Sequence, residues 1–266
     1  MIASAYKDKE TIIGAIFGTG CNGAYMEDVG MIHKLDTDLP DDTPMAINCE
    51  YGAFDNAHHI LPRTEYDIMI DEQSPKPGEQ AFEKMSAGLY LGEIYRLVAL
   101  ELHERGILFT GADASKLHEP YILDTGFLSS LENDKSPGMY QSKISFMHTL
   151  GFDLTPEQLI FSQRIAEYIT IRGARLCTCG IAAICRKKGI KSGHVAADGS
   201  VANKHPNFKR RWATALSEVL DWPDDRTEDP ITITAAEDGS GIGAAVIAAM
   251  TLKRREAGNM AGIKER

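Results

Sequence analysis

Three times along this chain an apolar, β-leaning run ends in a short turn of glycine and a hydroxyl residue. The segments are IFGTGCNG from Ile16, HVAADGSV from His194 and TAAEDGSGIGAA from Thr234. Their hydroxyls belong to Thr19, Ser200 and Ser240. Glycine lets a backbone come close to a ligand, exposed N–H groups bind anionic oxygens, and the hydroxyl adds a further bond. In the third segment a helical pattern follows at once, so a helix N-terminus faces the turn.

The intervening chain alternates strand and helix signals. TIIGAIF reads as a strand ending in the first turn, and MAINCEYGAF, residues 45–54, as a strand with its tip near Glu50. Apolar residues at 82, 85, 89, 91, 94, 98 and 102 predict one helix from Glu79 to about Arg105, stopped by Gly106. Thr155-Pro156-Glu157-Gln158 is a helix start, with Thr as cap and Gln three residues later. That helix runs to Lys188 and stops at Gly189, and Gly173 and Gly180 inside it predict a close neighbour. GHVAAD and ITITAA read as strands, HPNFKRRWATALSEVL as a helix opened by Pro206, and AAVIAAMTLKRREAG as a helix closed by Gly258. Pro75 and Pro77 mark a loop, and residues 129–139 read as a surface loop. Repeated strand–turn–helix units imply an α/β domain with covered sheet faces.

Composition narrows the partners. The 266 residues are 43% hydrophobic and carry a net charge of −10, enough for a core and unfavourable for nucleic acid or an anionic membrane. Arg186-Lys187-Lys188 and Lys253-Arg254-Arg255 fall near helix ends, where cations complement the dipole. The run GIGAAVIAAM is too short to span a bilayer, and MIASAYKDKE has no signal-peptide core. Five cysteines, an odd number, predict reduced thiols and a cytoplasmic protein. Cys177 and Cys179 form C-x-C with no second pair at zinc spacing, so no metal site is expected on cysteine. His58-His59, neighbours on an extended chain, point to opposite faces and read as solvated.

None of the three turns is a Walker A loop, because none ends in Gly-Lys-Ser/Thr. The first has the dinucleotide spacing G-x-G-x-x-G, which keeps a Rossmann reading in play. Against it, Asp36 and Asp38 lie in a polar stretch rather than on the strand that a ribose-binding acid needs. Three such turns in one α/β chain favour a nucleotide cleft. Glu50, after the apolar MAINC, and Glu83, flanked by Phe82 and Met85, could accept hydrogen bonds from sugar hydroxyls. Each also has a plain reading, as a surface strand residue and as a charge near a helix N-terminus.

These segments together carry a family. IFGTGCNGAY, MAINCEYGAFDN with LPRTEYD, PGEQAFEKMSAGLYLGE, GIAAIC, HVAADGSV with NKHP, and AEDGSGIGAAVIAAM occur in this order over nearly the whole chain. The chain resembles the eukaryotic hexokinases of the fungal type. The resemblance implies a ribonuclease-H-like, actin-type ATPase fold, and transfer of the γ-phosphoryl of ATP with Mg2+ to the 6-hydroxyl of glucose or a related hexose, the first step of glycolysis. It assigns Asn22, Glu50 and Glu83 to the sugar. It assigns Gly18, Thr19, Gly20, Gly88, Gly199, Ser200, Gly239 and Ser240 to the nucleotide. Ala53 stands where several fungal relatives carry Ser.

The resemblance also implies motifs that these 266 residues do not contain: Asp-Leu-Gly-Gly-Thr, Ser-Phe-Pro, Thr-Lys-Gly, and an Asn-Asp-Thr whose Asp is the catalytic base. Met1-Ile2-Ala3-Ser4 aligns just after that Asn-Asp-Thr. The expectation is therefore the large, C-terminal domain over residues 1–266 without its small partner domain, no catalytic residue of its own, and negligible activity in isolation. A non-catalytic sugar- or ATP-binding regulator and a truncated product without a stable role are the other readings. No magnesium ligand, hexose preference or oligomeric state follows from the sequence.

Overall fold

The computed structural model describes residues 2–236 and 239–260. Helix α1 (Ile2–Lys7) leads into strands β1 (Thr11–Phe17), β2 (Cys21–Asp28) and β3 (Pro44–Asn48). A helical section follows: α2 (Glu65–Gln73), α3 (Ala81–Ser86), α4 (Gly88–Glu104), α5 (Thr125–Glu132), α6 (Tyr140–Leu150) and α7 (Pro156–Lys188). The chain then returns to the sheet through β4 (Gly193–Asp198), α8 (Ser200–Lys204), α9 (Phe208–Leu220), β5 (Ile231–Ala235) and α10 (Gly239–Glu256).

The sheet order is β3-β2-β1-β4-β5. β1, β2 and β3 form an antiparallel meander, while β4 and β5 run parallel to β1. The carboxyl ends of β1, β4 and β5 therefore share one edge, which gathers all three glycine turns on the same side of the sheet. Ligands of α/β sheets bind beyond such ends.

α7 organises the interior. Thr155 and Gln158 form a reciprocal capping box at its start, and Gly189 closes it in a left-handed conformation at φ 64°. Its first half joins a helical core through Leu159, Ala166 and Ile169, against Leu91, Tyr95 and Phe146. Its second half presents Ala174, Cys177, Ile181 and Cys185 at helical spacing to Ile13, Val195, Trp212 and other residues of a sheet core. By length and composition α7 could cross a membrane, but 56% of its apolar stretch is buried inside the protein, as a core helix requires. Gly173 lies under Leu91, and Gly180 lies under the ring of Tyr51.

Several expectations change. The G-x-G-x-x-G run crosses a β-hairpin: Phe17 pairs with Cys21 and only Gly18-Thr19-Gly20 loop between them. No helix follows that turn, so the Rossmann arrangement does not apply. The single helix expected from Glu79 to Arg105 is two helices, α3 and α4, parted at Ala87 in extended conformation. The strand expected over 45–54 ends at Asn48; Glu50 turns left-handed and 51–53 form a 3-10 turn. Residues 129–132 of the expected surface loop belong to α5, where Leu131 is buried. Beyond them the Asp134 carboxylate accepts from the backbone N–H groups of Ser136 and Ser142.

Candidate functional site

The hairpin loop Gly18–Gly20 is the hub. On one side lie the acids. The Cys21 N–H donates to Glu83 Oε2 at 3.0 Å, which holds the α3 carboxylate against the loop. Glu50 stands across β2, its N–H donating to Asn22 Oδ1 at 2.9 Å and its Oε1 accepting from Asn22 Nδ2 at 3.0 Å. Asn22, Glu50 and Glu83 thus gather around the start of β2. Beneath them the Cys21 thiol contacts the Ser86 hydroxyl at 3.4 Å. Burial pushes this thiol up to about 12, so it is a packing group and not a nucleophile.

On the other side lie the remaining turns. Gly199, at φ 113°, sits so close to the hairpin that a Cβ there would stand 2.4 Å from the Phe17 carbonyl oxygen. The Gly88 N–H donates to the Gly18 carbonyl at 2.8 Å. A Cβ at Gly88 would fall 2.9 Å from that oxygen and 2.7 Å from Val201, which accounts for the break between α3 and α4. The Thr125 hydroxyl donates in turn to the Gly88 carbonyl. Gly18, Gly88 and Gly199 are therefore one packed unit, with the Thr19 and Ser200 side chains exposed at its surface. α10 begins at Gly239, ahead of the start expected at Ala244, so residues 239–243 of the expected turn are helical. Glu237 and Asp238 of that turn, and the Ser240 side chain, lie outside the described residues.

A cavity of about 180 Å³ runs along the sheet face past Asn22, Asn48, Ile16, Asp198 and Gly239, and so joins the acid side to the third turn. A second, of about 260 Å³, adjoins Ser200 and is lined by Thr125, Ser129, Ser130, Lys204 and His205. Three features here escaped the sequence reading. Asn48 donates to Glu50 Oε1 at 2.6 Å; its place two residues before Glu50 was the available signal. Asp198 closes β4 and accepts from the Gly199 N–H at 2.7 Å, at the carboxyl end of a strand where ligands gather. The cavity beside Ser200 had no sequence signal, because α5 and α8 meet only in the fold.

The sequence profile of the family described as Hexokinase matches residues 12–250. Hexokinase-1 of Saccharomyces cerevisiae is 52% identical over 267 aligned residues, which cover 99% of this chain and 55% of the yeast protein. A hexokinase of Emericella nidulans is 53% identical over 268, covering 100% of this chain and 54% of its own length. Among solved structures, a hexokinase from Schistosoma mansoni complexed with glucose superposes with a TM-score of 0.81 at 31% identity, over 93% of this chain and 55% of that one. The fold is that of the actin-like sugar kinases. The chain belongs to the hexokinase family, and it spans about 55% of the length of the curated relatives it matches.

Proposed function

We propose that these residues are the large lobe of an ATP-dependent hexose 6-kinase, and that they hold the sugar and the nucleotide while a second lobe supplies the base. The observation that carries this is the interlock at the hairpin. One loop touches an acid on one side, Glu83 through the Cys21 N–H, and the Gly199 turn on the other. Two substrates bound on either side of it meet there.

In this reading Glu50 and Glu83 accept hydrogen bonds from sugar hydroxyls and orient the ring. Thr19, Gly20 and Ser200 direct backbone N–H groups and hydroxyls at the phosphates, while Gly18 and Gly199, whose N–H groups are given to the Gly20 carbonyl and Asp198, let the two turns approach closely. The adjoining cavity lined by Thr125, Ser129, Ser130 and Lys204 receives the rest of the nucleotide. Phosphoryl transfer depends on positioning and charge stabilisation, so a lobe that positions both partners does much of the work. Mg2+ would neutralise the developing phosphate charge. Asp198 is the carboxylate suited to support it, through the water molecules that Mg2+ usually retains. The fungal relatives and the glucose complex support the hexose assignment. The five unpaired cysteines support a cytosolic setting.

The test is glucose-dependent ADP release by the purified 266-residue chain, run beside calorimetric titrations with glucose and an ATP analogue. The account predicts binding of both with negligible turnover, because loss of a base alone lowers rate by roughly 10²–10⁴. Turnover at an ordinary hexokinase rate would overturn the division of labour between two lobes.

A further inference from the structure

We propose that Asn48 is a positioning residue for Glu50, holding one carboxylate oxygen so that the other is presented to the sugar. The proposal rests on the reading of Glu50 as a sugar-binding acid. Where β3 ends, the chain reverses and Glu50 takes φ 52°, ψ 37°, a left-handed conformation that residues with a side chain rarely adopt. Such a conformation persists only where neighbours enforce it.

The enforcement is a closed ring of three side chains. Asn22 Nδ2 donates one hydrogen to Asn48 Oδ1 at 2.7 Å and the other to Glu50 Oε1 at 3.0 Å. Asn48 Nδ2 donates to the same Oε1 at 2.6 Å, the shortest contact of the ring. Asn22 Oδ1 accepts from the Gly23 N–H at 2.7 Å and the Glu50 N–H at 2.9 Å. Asn22 is thus fully engaged as a strut. Glu50 Oε1 holds two donors, and among the described residues Oε2 has none. Asn48 closes the ring by giving Asn22 an acceptor and Glu50 a donor at once. All three groups are in reach of water, so without Asn48 water takes its place at Oε1 and the carboxylate loses one of the two donors that fix its direction.

The experiment is calorimetric glucose titration of the chain and of Asn48→Ala, Asn48→Asp, Glu50→Gln and the double variant Asn48→Ala/Glu50→Gln. Asn48→Ala is expected to weaken glucose about tenfold, the scale of one hydrogen bond to a charged group. Asn48→Asp weakens it further, because it sets two carboxylates together. In the Glu50→Gln background Asn48→Ala is expected to change affinity by less than about twofold, since the charged oxygen that Asn48 orients toward the sugar is already gone. An unchanged affinity in Asn48→Ala, or the same factor in both backgrounds, would overturn the proposal. A second arm needs no sugar. By 15N NMR the side-chain amide hydrogens of Asn22 exchange slowly in the parent chain and rapidly in Asn48→Ala. Rapid exchange in both would refute the ring. Failure of the parent chain to bind glucose would count against the proposed function, and the exchange arm would then decide the role of Asn48.

Discussion

At the scale of single residues, the site is built from backbone positions that admit few alternatives. Gly199 faces the Phe17 carbonyl across 2.4 Å of would-be Cβ contact. Gly199→Ala is therefore expected to destabilise the chain by roughly 1–3 kcal/mol, read as a lowered thermal midpoint. A midpoint equal to the parent's would show that the two turns can part without loss. Glu83→Gln keeps the shape of the α3 acid while removing the charge that the Cys21 N–H faces. Its expected effect is a loss of glucose affinity of about tenfold or more in calorimetry, with unfolding little changed. Glu50, Glu83 and Asn22 come to the proposed sugar site through a family resemblance, not through their own chemistry. Taken singly, an acid after an apolar run and an acid near a helix start look like ordinary surface residues. Asn48 was missed for a different reason: its place two residues before Glu50 gains meaning only when the β2–β3 pairing brings Asn22 to both.

At the scale of elements, what could be read locally was read well. α7 begins and ends on local chemistry, the Thr155–Gln158 box and Gly189, and both stand where the pattern puts them. Thr155→Ala is expected to lower stability by about 1 kcal/mol, measured by denaturant unfolding. An unaltered midpoint would mean that tertiary packing alone fixes that end. Elements set by distant contacts were not legible. The parting of α3 from α4 answers to the Gly18 carbonyl and Val201, neither of which a helical period can register. β2 hid inside what looked like a glycine turn, because Cys21 and Asn22 have little strand preference and gain their place from pairing with Phe17 and Ile16. The second half of α5, residues 129–132, reads as loop because it runs into the polar, turn-rich SSLENDKSPGM. Leu128 and Leu131 still bury one face.

At the scale of the whole molecule, two cores are joined by α7 and by a buried polar cluster. The Glu132 carboxylate of α5 accepts from Thr170 of α7 and from Asn207 and Arg211 at α9, with His205 at 3.6 Å. Burial alone would raise the Glu132 carboxyl, and the Arg211, Thr170 and Asn207 contacts outweigh it and hold it low. Burial holds His205 below its ordinary 6.5; Glu132 opposes the shift and Arg211 adds to it. Both shifts have the same sign for stability. Below about 6.5 the unfolded chain takes up a proton on this histidine before the folded chain does, so stability falls as pH drops. The contribution of Glu132 is present above the ordinary carboxylate range and is lost as pH falls through its lowered folded value. The thermal midpoint is thus expected to decline below pH 6.5, and His205→Phe to flatten the upper part of that decline. An equal slope in parent and variant would place the acid sensitivity elsewhere.

The central claim is that this lobe holds the sugar at the first hairpin without turning it over. Calorimetric titration of the 266-residue chain with glucose tests it most directly. The account predicts saturable binding that is weakened about tenfold or more by Glu83→Gln and also by Glu50→Gln. Binding indifferent to both acids, or no binding by a chain that is demonstrably folded, would contradict it.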